Sequence, residues 1–449
     1  MLKDAPLYNL DYLRAMSIKN QKAILSKLRI ESLNPMQEAA QDAIHSNKEV
    51  LLLSPTGSGK TLAFLLPIIS RLDPNIDEIQ VLILVPSREL AIQIESVVRD
   101  MGSGYKTNAV YGGKSFTKDR SDTKHAPAIL IGTPGRVADH FRRSTFSVEG
   151  IKTLVLDEFD KALEIGFETD MMDILSRLPN LTQRILTSAT QGVDIPFFVG
   201  LHNPERIDFL GTGESQLTVK RITSPSKDKL ETLVDALCHL GNQPGIVFCN
   251  FKDSIQRVSD HLTEKGIHHG CFYGGMEQMD RERALVKFRN GTHQLIIATD
   301  LAARGLDVPE IKFILHYHLP LRSEEFTHRN GRTARMHSEG SAYVLWWKGE
   351  QLPGFIGELE EEFLGDAPVP AAGNYRTLLL SGGRKDKISK GDIAGLFFKQ
   401  GELSGDELGT IELKSDCAFV AVRSDKLDQV IDKVNGGRIK RKKVKVREV

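Results

Sequence analysis

The chain has little cysteine and little tryptophan, with 4 Cys and 2 Trp in 449 residues. Cys238, Cys249, Cys271 and Cys417 lie far apart, and no pair shows the short spacing of a zinc or dithiol site. That excludes a disulfide framework and suits a reducing compartment. Long hydrophobic runs are also missing. The richest stretch, "AFLLPII" at 63–69, falls well short of the roughly 20 residues that span a bilayer. The first residues, "MLKDAPLYNL", lack the apolar core of a signal peptide. These absences predict a soluble, cytoplasmic protein with no membrane partner. Net charge is absent too, with 59 basic against 59 acidic residues, so bulk charge names no ligand. No repeat of fixed short period and no low-complexity tract is visible.

What is present is organised in blocks. At roughly 150 residues per domain the length suggests about three. Between about 37 and 210, short apolar runs ("EVLLLS", "QVLILVPS", "AILIGT", "TLVLDE", "RILTSAT") alternate with helical patterns. Strands apolar on both faces are what a parallel sheet covered by helices requires. The pattern restarts with "GIVFCN", "HGCFYGG", "QLIIATD", "KFILHYHLP" and "SAYVLWW". A Pro/Gly/Ala-rich stretch at 365–375 then reads as a linker. The remainder reads as strand (377–380), helix (391–399), strands (409–413 and 417–422), helix (425–434) and strand (438–446), a small β-α-β-β-α-β sandwich. The predicted fold class is therefore α/β, with segments 1–212, 213–364 and 376–449. Charge separates along them: residues 374–449 carry 17 basic and 11 acidic groups, a net of +6, leaving −6 for the rest. "RIKRKKVKVREV" alone holds seven basic groups, which reads as an anchor for polyanions or as a solvated tail.

Residues 54–61, "SPTGSGKT", follow one apolar strand and precede an apolar helix. Gly57 and Gly59 permit a tight turn whose N–H groups surround phosphate, together with Ser54, Thr56 and Ser58. Lys60 supplies charge to the β/γ-phosphates and the Thr61 hydroxyl can ligate Mg²⁺. Ser54 stands where the general P-loop pattern has glycine. In "TLVLDEFD" an apolar run stops at Asp157, Glu158 and Asp160. Acids there could simply start a helix. Beside a P-loop they have a further use: Asp157 to hold the metal, Glu158 to polarise water, and Asp160 to bond the "SAT" segment at Ser188 and Thr190.

These blocks together resemble the DEAD-box RNA helicases, over about residues 30–350, with "DEFD" in place of the name-giving tetrapeptide. The resemblance implies two tandem RecA-like domains using ATP and Mg²⁺, with catalytic Lys60, Asp157, Glu158, Arg332 and Arg335. "NPMQ" resembles the adenine-reading block through Gln37, and Asp307 resembles a ribose contact. "PSRELAIQ", "GG" and "TPGR" imply RNA-backbone contacts at Arg88, Gly113, Thr133 and Arg136. "GGMEQMDRERALVKF" and "ATDLAARGLDVP" imply others at Gln278, Arg281, Thr299 and Arg304. In "HRNGRTAR", Arg332 and Arg335 correspond to arginine fingers. The implied mechanism splits the ATP site between two domains, so that closure joins both half-sites and displaces one RNA strand. Phe159, Ile30, Asn20, Asn330 and Ala334 depart from the family pattern: Phe159 replaces a small residue, and Ile30 and Asn20 stand where aromatics often flank adenine.

The last segment resembles the RRM-like RNA-binding domain of DbpA-type helicases over nearly all of 376–447. That implies a tether to a hairpin of large-subunit ribosomal RNA and a role in pre-ribosomal particles. Arg384, Lys385 and Lys387 form a basic loop, and Lys440, Lys442 and their neighbours a basic edge. Base-stacking aromatics are not evident, and Phe397, Phe398 and Phe419 read as core. The expected activity is a monomeric, ATP-dependent RNA helicase in ribosome assembly. An ATP-gated RNA clamp without ribosomal preference is the alternative, and a DNA helicase the third reading.

Overall fold

A computed structural model describes residues 20–449 except 114, 124, 191–194, 212–216, 301–310 and 334–338. The chain divides into two compact units, the second beginning near residue 215 and including the C-terminal segment. Among the described residues no helix is long and apolar enough to cross a membrane.

The first unit is a seven-stranded parallel sheet: β1 (Glu49–Leu53), β2 (Val81–Leu84), β3 (Thr107–Val110), β4 (Ile129–Gly132), β5 (Thr153–Leu156), β6 (Gln183–Ser188) and β7 (Glu205–Asp208), in the order β3-β4-β2-β5-β6-β1-β7. Val81 and Ile83 of β2 enter one core layer, while Leu82 and Leu84 enter the other. A strand buried on both faces has no polar side to alternate, which is why these segments read as continuous apolar runs. The strand order also sorts the motifs. Loops after β5, β6 and β1 carry the acids, "SAT" and the glycine loop, while those after β2, β4 and β3 carry "PSRE", "TPGR" and "GG".

The second unit opens with another parallel sheet: β8 (Leu217–Ser224), β9 (Gly245–Phe248), β10 (Gly270–Phe272), β11 (Leu295–Ala298), β12 (Phe313–His316), β13 (Gly340–Trp347) and β14 (Glu360–Glu361), ordered β10-β11-β9-β12-β13-β8-β14. Its last part is an antiparallel sheet of β15 (Tyr375–Leu380), β16 (Leu408–Leu413), β17 (Ala418–Arg423) and, after a hairpin, β20 (Val446–Glu448), ordered β16-β17-β15-β20. The helices Lys390–Lys399 and Leu427–Val434 cover one face.

One element differs from the expected strand at 438–446. Residues 438–443 fold into a separate hairpin, β18 (Arg438–Ile439) against β19 (Lys442–Lys443). Lys440 takes a left-handed φ of 54°, so the chain reverses there, and Lys442 is drawn to Asp386 at 2.6 Å. Val444 and Val446 return to the core, and only β20 pairs with β15.

Candidate nucleotide and RNA sites

The glycine loop is anchored to the strand beside it in the sheet. Ser54 N–H donates to the Ser188 carbonyl at 3.1 Å, tying the loop to the end of β6. Gly57 and Gly59 have φ of 84° and 88°, left-handed values that a side chain would strain. At Gly59 there is a second reason, because a β-carbon would fall 2.5 Å from Gln37 Nε2. The loop leads into the helix Lys60–Ser70, whose positive N-terminus faces the loop. Lys60 Nζ folds back onto the carbonyls of Ser54 and Pro55, the latter at 2.9 Å.

Gln37 belongs to a capping box. It accepts from Asn34 N–H at 3.1 Å, and Asn34 Oδ1 accepts from Gln37 N–H at 2.9 Å. Its Nε2 donates to Gly59 O at 3.3 Å, and Asn34 Nδ2 to Ser58 O at 3.1 Å. The "NPMQ" block is thus bonded directly to the phosphate loop, which the spacing of 22 residues does not reveal. Upstream, Asn20 caps the helix Gln21–Leu28, and Ile30 packs on the core cluster of the first sheet.

Asp157 emerges from β5 beside Thr187 of β6. The Thr187 hydroxyl donates to Asp157 Oδ1 and accepts from Glu158 N–H at 3.1 Å. Burial raises Asp157 to about 6, the Glu158 carboxylate pushes in the same direction, and Thr187 and Lys60 oppose them. Burial likewise lowers Lys60 to about 8 against the attraction of Asp157 and Glu158. Glu158 turns the chain with a left-handed φ of 51°, and its Oε2 lies 3.0 Å from Nζ of the fully buried Lys161. Asp160 Oδ2 accepts from Thr190 Oγ1 at 3.0 Å, while Ser188 Oγ accepts from Thr190 N–H at 3.1 Å. Acid and "SAT" segment are therefore one hydrogen-bonded unit. Phe159, the unusual ring, is 2% exposed and packs in the core layer beneath the acids.

The donor set fits Mg²⁺. It offers hard oxygens only, a hydroxyl at Thr61 and a buried carboxylate at Asp157 that a dication would keep ionised. Among the described residues no three His, Cys, Asp or Glu side chains form a complete cage. This suits an ion that keeps water and phosphate as its other ligands.

On the other half of the same edge, the Arg88 guanidinium lies across the double glycine. A β-carbon on Gly113, where φ is 90°, would fall 2.7 Å from Arg88 Nη1. Thr133 caps the helix Pro134–Arg142 and is buried. Arg136 forks onto the fully buried Asp119, with Nε at 2.9 Å and Nη2 at 2.8 Å, and lies over Phe116.

In the second unit, Gln278 begins the helix Gln278–Arg289. Arg281 donates to Tyr273 O at 3.1 Å and lies over Phe272. Thr299 follows β11, its N–H bonded to Phe272 O at 3.3 Å. Arg332 is 3% exposed just after the helix Ser323–Asn330. Asn330 is also buried, and its Oδ1 accepts from His316 Nε2 at 2.9 Å, so this departure has a partner. Arg304, Asp307, Ala334 and Arg335 lie outside the described residues. In the third segment Arg384, Lys385 and Lys387 are exposed, whereas Lys440 and Lys442 pair with Asp392 at 2.8 Å and Asp386 at 2.6 Å. Phe397 is core, Phe398 is 41% exposed rather than core as expected, and Phe419 is buried on the face away from the helices.

Sequence reasoning missed several residues. Arg329, 1% exposed, donates to both Asp300 oxygens at 2.6 Å, to Asn250 Oδ1 at 2.7 Å and to His318 O at 2.8 Å, clamping three neighbouring strand ends. It stands inside "HRNGRTAR", but a buried hub and a surface arginine look alike in one sequence. Thr187, Lys161 and Asp119 carried no motif signal at all.

A glycine loop after β1, paired acids after β5 and a duplicated parallel sheet define a P-loop NTPase with tandem RecA-like folds. Comparison with known proteins narrows the class. Residues 34–195 match the DEAD/DEAH box helicase model, 228–337 the helicase conserved C-terminal domain and 377–448 the DbpA RNA binding domain. The ATP-dependent RNA helicase DbpA of Escherichia coli (strain K12) is 33% identical over 438 residues, covering 94% of this chain and 96% of that protein. DbpA of Bacillus subtilis (strain 168) is 30% identical, covering 92% and 93%. The structure of S. cerevisiae Dbp5 bound to RNA and ADP BeF3 matches with a TM-score of 0.66 at 25% identity, over 73% of this chain and 88% of that one. The chain belongs to the DEAD-box ATP-dependent RNA helicases, and within them to the DbpA type with its own C-terminal RNA-binding domain. It is an ATP-binding, RNA-dependent ATPase.

Proposed function

We propose that this helicase remodels structured large-subunit ribosomal RNA during ribosome assembly, in the cytoplasm. The observation that carries this reading is the basic edge of the third segment. The turn Arg384–Asp386 and the hairpin at 438–443 are joined by Lys442–Asp386, and Lys440 ties the hairpin to Asp392 of the helix Lys390–Lys399. Arg384, Lys385, Lys387, Arg441 and Lys443 are exposed along that edge. Such an edge grips phosphates and reads RNA shape rather than stacked bases.

In this reading, P-loop N–H groups and Lys60 hold the phosphates, Gln37 reads adenine and Asp307 holds ribose. Thr61 and Asp157 would hold Mg²⁺, which would supply positive charge to neutralise that developing on the phosphates. Glu158 orients the attacking water. Asp160, Ser188 and Thr190 couple the nucleotide to RNA. Arg88, Gly113, Thr133, Arg136, Gln278, Arg281, Thr299 and Arg304 position the RNA backbone. Arg332 and Arg335 come from the second RecA-like fold and the P-loop from the first, so hydrolysis waits on closure. ATP and RNA then favour one state reciprocally.

The test is steady-state ATPase activity with a large-subunit rRNA fragment carrying the hairpin, an unrelated RNA and single-stranded DNA. The triple variant Arg384→Ala/Lys385→Ala/Lys387→Ala is compared with the intact chain. Preferential stimulation by the rRNA fragment, lost in the variant, is expected. Equal stimulation by both RNAs in the intact chain would leave a general RNA helicase.

A further inference from the structure

Glu158 is held at three points, and the third is a buried lysine that neither the phosphates nor the metal needs. Its N–H donates to Thr187 Oγ1 at 3.1 Å. Its carbonyl accepts from Lys161 N–H at 3.0 Å and Ala162 N–H at 3.2 Å, where the helix Phe159–Glu164 begins. With φ at 51° the backbone is left-handed, a conformation that a residue with a β-carbon adopts only under strain. Glycine would adopt it freely, so the side chain at this position has a use that offsets the strain.

Backbone anchorage alone leaves the carboxylate free to rotate about its side-chain bonds. Lys161 removes that freedom. Its side chain is completely buried, and its Nζ lies 3.0 Å from Glu158 Oε2. Oε2 is itself buried, so the 10% of the Glu158 side chain still open to solvent belongs to its other atoms. Lysine is almost never fully buried unless paired, and a buried ion pair can often be exchanged for apolar side chains without loss of stability. Packing alone therefore does not account for a lysine here. The pair also lies within a cluster of charge, in which Lys60 feels the attraction of Asp157, Glu158 and Asp160 and the repulsion of Lys161.

We infer that Lys161 is a positioning residue for hydrolysis: it pins one carboxylate oxygen of Glu158 from behind and turns the other to the water that attacks the γ-phosphate. The inference rests on the reading of Glu158 as the group that orients that water. Lys161 has no exposed surface with which to touch the nucleotide, so it acts only through Glu158. Such a hold matters because misplacing a reacting group by about 1 Å can cost about 100-fold in rate.

The test is a double-mutant cycle in the full-length chain, with RNA-stimulated ATPase activity resolved into kcat and KM. Lys161→Met, of similar length but without charge, should lower kcat about 10-fold or more. KM for ATP and the half-saturating RNA concentration should stay within about 2-fold. The melting temperature should not fall, since an apolar chain in place of the ion carries no desolvation cost. Lys161→Gln gives the same comparison if Lys161→Met does not fold. In the Glu158→Gln background Lys161→Met should lower kcat no further, because the carboxylate it positions is already gone. A kcat untouched by Lys161→Met and Lys161→Gln, or a loss that persists in full in the Glu158→Gln background, would overturn the inference. An undiminished kcat in Glu158→Gln alone would sink the water-orienting role and the inference with it, a failure told from the others by that single variant.

Discussion

Replacing Phe159 with alanine would restore the small residue for which the DEAD-box tetrapeptide is named, yet it should weaken this chain. The ring is 2% exposed among Leu156, Ala162 and Leu186. It also borders a cavity of about 60 Å³ lined by Leu51, Leu53 and Ile195. Removing a buried phenyl ring costs about 3–5 kcal/mol through lost transfer energy plus the cavity left behind. Space already adjoins the ring, so some contacts are absent at the outset and the lower end, about 3 kcal/mol, applies. For a fold of 150–250 residues that lowers the melting temperature of the first unit by about 6–12 °C. Activity should survive, because Asp157 and Glu158 are held by Thr187 and Lys161 and not by the ring. The assay is thermal unfolding by circular dichroism, paired with RNA-stimulated ATPase at a temperature where both proteins are folded. An unchanged melting temperature would refute the core assignment. A large fall in kcat at intact stability would show that the ring acts on the acids.

Glu158→Gln should lower kcat about 10²–10⁴-fold, the usual worth of a positioned acid–base group, while nucleotide affinity measured by titration calorimetry stays near its original value. Asp119→Ala leaves the half-buried Arg136 without its buried carboxylate and should cost about 1–3 kcal/mol in urea unfolding, with weaker RNA binding beside it. Asp119→Asn, which keeps an acceptor, should cost less. Acid should act on the second unit first. Burial depresses His316 to about 3 and His293 and His318 to about 4, so these rings are neutral when folded. The unfolded chain protonates them near 6.5, so their contribution is complete above that pH and falls as pH drops toward 4. For the fully buried His316 alone the loss at pH 5 approaches about 2 kcal/mol. Urea midpoints at pH 7.5 and 5 check this, and His316→Asn should flatten the dependence.

Much of the site was legible because its chemistry is written locally. The glycine loop, the acids after an apolar run and "HRNGRTAR" announce themselves through spacing and residue type. Gln37 was legible as a block, but its bond to Gly59 was not, since it joins segments 22 residues apart. Arg329, Lys161, Thr187 and Asp119 were opaque for a common reason. Their importance comes from burial beside an opposite charge or hydroxyl, and burial is a property of the packed chain. The last strand was misjudged because Lys440 and Lys442 look like solvated strand residues until Asp386 and Asp392 are placed opposite them.

The sequence by itself determined the two duplicated parallel sheets, the phosphate loop, the acids and the basic C-terminal segment. Period, run length and residue chemistry are local quantities, and each survives without knowledge of neighbours. Tertiary structure alone decided what those elements do to one another. It set β6 between β5 and β1, so that Thr187 meets Asp157 and Ser54 meets Ser188. It also gave Phe159 and Asn330 their partners. Likewise it laid the sheet face of the third segment on the helix Gln278–Arg289 through Arg289 and Glu412, 123 residues apart. Such contacts depend on strand order and on which face is turned inward, and no local window of sequence contains either.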